Sequence, residues 1–164
     1  ALGPVMYDAS YKNDNTTGKY LAVKWTAHDG GQGLQTFYEL NRAKNFNDYL
    51  NAIHKWTCPG QNFAFISKTG DVAIKQQGAF IARWKRQGDF IMPGEDTRYM
   101  WQGIIPNEEN PMQKNPDRGF ISSANQRSTD DTYPYYLGAA ADFPLYRGII
   151  INKRLSTMSN ITPA

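Results

Sequence analysis

Asn62 is the residue whose type and place most invite chemistry. It opens the apolar run Asn62-Phe63-Ala64-Phe65-Ile66-Ser67, where a strand is expected and asparagine is disfavoured unless something specific needs it. A carboxamide N–H held there can donate to the oxyanion that develops during acyl transfer. A strand-end turn residue bonded to its own neighbourhood is the other reading. Cys58 is the single cysteine, and as a nucleophile it needs a base, for which only His54 stands one turn upstream. Residues at i and i+4 often meet without reacting, and Trp56 and Pro59 beside Cys58 read as a packed helix end. The patch Arg83-Trp84-Lys85-Arg86 interleaves cations with an aromatic and could touch a phosphate backbone. Nothing extends it into a stripe, so a solvated loop is the plainer reading and no nucleic-acid partner is expected.

Several chemistries lack their residues. There is no Gly-x-Ser-x-Gly elbow, no His-Glu-x-x-His, no Walker loop and no Cys-x-x-Cys. The cluster Gly30-Gly31-Gln32-Gly33 has no Gly-Lys-Ser/Thr after it and reads as a flexible connection. His28 and His54 lack the spacing of a metal site, and Asp130-Asp131 sits in a polar loop where it should be solvated.

These residues need elements to hold them. With 164 residues, 40% of them hydrophobic and 20% charged, the chain can build one cored domain. A net charge of +3 is small for that length, and no apolar run approaches a membrane span. The 13% of aromatic residues suits a β-rich core or a surface packed on another chain. Alternation predicts strands over Leu2–Asp8 and Lys19–Thr26 with a polar loop from Ser10 to Gly18 between them. A short helix carries the stripe Leu34, Phe37, Tyr38, Asn41. A second starts at an Asn45 cap with Asp48 in its first turn, puts Phe46, Tyr49, Leu50 and Ile53 on one face, and ends at Cys58-Pro59-Gly60.

A hairpin follows, with strands Asn62–Ser67 and Val72–Lys75 around a Lys68–Asp71 turn, then a bend at Gly78. An irregular connection is expected from Gln87 to Arg118, a buried strand over Phe120–Ala124, and a helix from Leu145 to Met158 entered at Asp142 or Phe143-Pro144. The sum is an α+β fold.

The stretch "NFNDYLNAIHKWTCPGQNFAFISKTGDVAIKQQGAF", with "WQGIIPNEENPMQKNPDRGFISSANQR", "YPYYLG" and "LYRGIIINKRL" in order after it, resembles the penicillin acylase family of N-terminal nucleophile hydrolases. The likeness runs over roughly residues 19–158, within the large chain of such processed enzymes, and several motifs in order make it specific. It implies part of an αββα sandwich: a segment of the catalytic domain whose residues 1–125 supply sheet and helices and whose residues 126–164 supply a loop and the start of a helical region. It implies hydrolysis of a small amide through an acyl-enzyme, by a serine whose own α-amino group is the base.

On this resemblance Asn62 takes the oxyanion asparagine's place, and Arg83 matches an arginine near the active centre that would orient groups or supply charge. Asn125 would brace backbone, and Tyr146-Arg147 a helix. Ala1 is no nucleophile, so the serine would lie outside this segment, which would be inert alone. No cofactor is required; the family's structural calcium finds no ligand set, and Ser67 stands where an acidic residue is common. The expected partners are a small amide substrate and the rest of the same precursor, the small chain and the remainder of the large one, in a periplasmic or extracellular setting. A non-catalytic module binding ligands or partners through its Tyr and Trp surface is the rival reading.

Overall fold

The computed structural model describes residues 2–12, 18–138 and 143–162. Its centre is the expected hairpin. Strands β3 (Gln61–Ile66) and β4 (Val72–Gln77) pair antiparallel from Gln61 opposite Gln77 to Ile66 opposite Val72. Gly70, at φ +93°, makes the turn between them. Alternation sends Phe63, Phe65, Ala73, Lys75 and Gln77 to one face and Asn62, Ala64, Ile74 and Gln76 to the other.

The first face meets α2 (Phe46–His54), which in turn packs on α1 (Gly33–Leu40). The α2 cap is the one the sequence announces: Asn45 Oδ1 accepts from the Asp48 N–H at 2.9 Å. Tyr49, Ala52 and Ile53 are buried on the sheet side, with Ile53 at 0% exposure. Phe46 and Tyr49 stack against Phe65 at 5.7 and 4.9 Å, and Trp56 meets Phe63 at 5.5 Å. Lys75 lays its stem in this core and donates to Asn107 O at 2.8 Å.

Tyr49 ties helix to hairpin, donating to Phe63 O at 2.7 Å. Burial pushes its phenol up to about 12. The unfolded phenol titrates near 10, so the stability gained by keeping Tyr49 neutral is complete below about pH 10 and is lost as pH rises through the folded value. Between about pH 9 and pH 11.5 the urea midpoint should therefore fall more steeply for wild type than for Tyr49→Phe. Parallel pH profiles would remove Tyr49 from that role.

Three expectations need correction. The Gln87–Arg118 connection, though mostly irregular, contains a strand, β5 (Met112–Lys114), which pairs antiparallel with β4 and completes a three-stranded sheet in the order β3-β4-β5. Asn115 anchors it: its carboxamide accepts from Val72 N–H and donates to the Asp71 carboxylate, both at 2.8 Å. That bond holds the Asp71 carboxyl below its ordinary range.

Phe120–Ala124 is not a strand, because side chains take its backbone groups. Arg118 donates to Phe120 O and Arg147 to Ala124 O, while Gln126 donates to Ser122 O and accepts from Ala124 N–H. The α1 stripe points outward: Leu34, Phe37 and Tyr38 are 89%, 50% and 57% exposed, and Thr36 is the buried residue.

The remaining elements are shorter than expected. The N-terminal strands reduce to β1 (Val5–Tyr7) and β2 (Leu21–Ala22), paired antiparallel, and the last helix, α3, spans Tyr146–Leu155. Phe143-Pro144 precedes α3; Asp142, the other expected entry, lies outside the described residues, as does part of the Ser10–Gly18 loop. Among the described residues, no helix is long and apolar enough to cross a membrane.

Candidate active-site cleft

Asn62 stands on the sheet face turned away from the helices, opposite Gln76 in the register. The open end of the hairpin is closed by Gly60 and Gly78: a Cβ on Gly78 would lie 3.0 Å from the Gly60 Cα. That tight junction positions the first residues of β3. Two cavities of about 630 and 650 Å³ flank them. Asn62 and Gln76 line both, and so do Gln126 through Thr129, which cross over this face. Asn62 is therefore on the wall of a double cleft, with an exposed side chain whose Nδ2 donates to Ser123 Oγ at 2.7 Å. Gln76 Oε1 is buried without a hydrogen-bond partner among the described residues.

The turn at Ser122–Gln126 faces Asn62 and is fastened to α3. Ser122 Oγ donates to Asn152 Oδ1 at 2.8 Å, and Arg147 Nη2 donates to Asn125 Oδ1 at 2.6 Å. Asn125 has φ +61°, a left-handed conformation that asparagine tolerates better than most residues. The Asn125 carboxamide thus bonds the Arg147 side chain and not backbone, and Arg147 ties α3 to this turn. Ser123 escaped the sequence reading; its only signal was a pair of hydroxyls inside a run that otherwise looks like a buried strand.

Arg83 is elsewhere. It lines neither cavity but sits half-buried behind the second one, donating to Gln87 O at 3.3 Å and Leu137 O at 3.2 Å. Its guanidinium lies 5.8 Å from the Tyr136 ring. Tyr136, Leu137 and Gly138 are cavity wall, so Arg83 supports that wall from behind. Glycine is needed at 138: φ is +107°, and a Cβ there would stand 2.9 Å from Arg83 Nη2. The basic patch is thus divided. Arg83 is committed to backbone carbonyls, whereas Arg86 is exposed and pairs with Asp89 at 3.7 Å.

Three phenols complete the rim. Tyr133 OH donates to Glu109 O at 3.0 Å, Tyr135 OH to the Glu109 carboxylate, and Tyr136 OH to Asp89 Oδ2 at 2.7 Å. Burial, with Tyr135 and Glu109 close by, pushes Tyr133 up to about 12. The hydrogen bond to Glu109 raises Tyr135, and burial followed by the bond to Asp89 raises Tyr136. All three are neutral donors at physiological pH.

The lining offers carboxamides, hydroxyls and the cations Arg118, Arg127 and Lys85. Its carboxylates are Asp130, held low by bonds from Thr132, and Asp131, paired with Arg127 at 2.8 Å. Neither His28, His54 nor Cys58 lines either cavity. Such a set can stabilise developing negative charge. Among the described residues no group of three or more His, Cys, Asp or Glu could hold a metal. Ser67 Oγ is bonded to Thr69 Oγ1 at 2.7 Å and accepts from Asp71 N–H.

Comparison with known proteins meets this geometry. The chain is similar to acyl-homoserine lactone acylase QuiP of Pseudomonas putida, 28% identical over a 144-residue alignment that covers 85% of this chain and 18% of that protein. It is also similar to the penicillin acylase 2 proenzyme of a Pseudomonas species, 29% identical over 105 residues, 64% of this chain and 13% of that one. Among solved structures it resembles a thermostable penicillin G acylase from Alcaligenes faecalis, with a TM-score of 0.61 and 21% identity over 84% of this chain and 25% of that chain. That likeness shows the fold, an α+β arrangement of helices packed on antiparallel strands. This chain spans only 18% of the length of the Pseudomonas putida acylase it matches. The family model described as penicillin amidase matches residues 1–164, the whole of the sequence, and the chain belongs to the penicillin amidase family.

Proposed function

We propose that this chain supplies the oxyanion-stabilising wall of an amide hydrolase, as a segment of a longer polypeptide. Asn62 is the donor: its carboxamide N–H would bond the oxygen of the tetrahedral intermediate, where negative charge appears only as the acyl carbon is attacked. The observation that carries this reading is the place of Asn62 on the wall shared by both cavities. The relatives' names suggest the substrate class, a small amide of the β-lactam side-chain or acyl-homoserine lactone kind.

The nucleophile and its α-amino base come from the remainder of the protein, exposed by cleavage of a precursor, and this segment alone is inert. Beyond the cleft, Ala64 and the exposed Ile66 on the same face would receive the second sheet of an αββα sandwich. The outward Leu34, Phe37 and Tyr38 suit contact with further layers of the same protein. The test is turnover by full-length protein lacking the Asn62 carboxamide; undiminished kcat would exclude the role.

Arg83 belongs to this reading as a positioning residue. It touches no substrate space, and its charge works through the two carbonyls it holds. Arg83→Lys keeps the charge but loses the planar fork that spans both. The expected cost is about 1.5–3 kcal/mol, seen as a lower thermal midpoint and a raised KM as the Tyr136–Gly138 wall loosens. A variant with native midpoint and KM would show that the fork does not matter.

A further inference from the structure

We infer that Ser123 is the positioning residue that orients the Asn62 carboxamide for the acyl-transfer step, an inference that rests on the oxyanion reading of Asn62. A side-chain amide carries two N–H donors and one acceptor on a group free to turn about its last torsion. On an exposed ridge such a group samples many directions. Among the described residues, the Asn62 side chain has one hydrogen bond, Nδ2 to Ser123 Oγ at 2.7 Å. That bond occupies one N–H and, because the amide is planar, fixes the direction of the other. The second N–H is the one left for the oxyanion.

Ser123 is itself held for this purpose. Gln126 clasps the residues on either side of it, accepting from Ala124 N–H and donating to Ser122 O. Ser122 is secured in turn to Asn152 on α3. Asn62 is the only partner of the Ser123 hydroxyl among the described residues. Ser123 also lines the first cavity, and its hydroxyl joins the hairpin to the 118–126 segment across the cleft. Preorganised donors are worth more than mobile ones because no reorientation is needed as charge develops.

The test uses the full-length protein, with steady-state kinetics on penicillin G or N-hexanoyl-homoserine lactone, whichever it turns over. Ser123→Ala should lower kcat about tenfold with KM changed less than about twofold, and should add nothing further in an Asn62→Ala background. Ser123→Thr, which keeps the hydroxyl, should recover kcat to within about twofold of wild type. The near-isosteric Ser123→Cys, a weak acceptor, should behave like alanine and covers the case in which Ser123→Ala does not fold. Wild-type kcat in Ser123→Ala or Ser123→Cys, beside an impaired Asn62→Ala, would overturn the positioning role and leave the Asn62 reading standing. Independent losses that multiply in the double variant would overturn it as well. A fully active Asn62→Ala would instead remove the oxyanion reading itself.

Discussion

Full-length protein carrying Asn62→Ala should fold and bind substrate, yet turn over about 100- to 1,000-fold more slowly, a loss of about 2.7–4 kcal/mol of transition-state stabilisation. The effect belongs in kcat and equally in kcat/KM, because the lost bond reaches full strength only when the carbonyl oxygen becomes an anion. Folding should survive for a structural reason. Asn62 lies on the face away from the helices, its side chain is exposed, and the substitution leaves the backbone pairing of β3 with β4 untouched. The loss of the bond to Ser123 Oγ touches no core packing. Steady-state kinetics with a thermal melt on the same sample separates the two: low kcat with an unmoved midpoint supports the donor role. A variant that turns over at the wild-type rate ends it.

Ile53→Ala should produce the largest loss of stability from a single substitution. Ile53 is 0% exposed on the α2 face that packs between the hairpin and α1. Truncating a fully buried isoleucine removes transfer free energy and leaves a cavity that close-packed neighbours fill only in part, at about 2–5 kcal/mol. For a domain of this size, that corresponds to a midpoint roughly 4–20 °C lower. Trp56, against Phe63 and Phe37, is a built-in fluorescent reporter of the same core. Leu34→Ala is the control, since Leu34 is 89% exposed and its loss should cost the 164-residue chain less than about 0.5 kcal/mol. Equal shifts for the two variants would mean that the core has been misplaced.

Local rules alone were enough for part of this protein. Asn45 and Asp48 spell a capped helix start, and alternating apolar residues around Thr69-Gly70 spell a hairpin, because capping, pleat and turn geometry act over a few neighbouring residues. For the same reason Asn62 stood out as a polar residue at the head of an apolar strand. Long-range pairing decided the rest. Met112–Lys114 is a strand because β4 offers an open edge and Asn115 reaches back across the sheet to Asp71, and nothing within the segment itself says so.

Phe120–Ala124 has a strand-like composition, but Arg118, Gln126 and Arg147 claim its carbonyls and amide first, two of them within the same loop and one from a distant helix. Arg83 reads in sequence as part of a solvated basic patch; the nearby Gln87 gives its guanidinium one carbonyl, and the return of Leu137 from 54 positions later gives it the second. Ser123 acquires a role only when the fold sets it 2.7 Å from a residue 61 positions earlier. A one-dimensional pattern records which side chain is able to donate or accept; the partner across the cleft exists only once the chain has closed on itself.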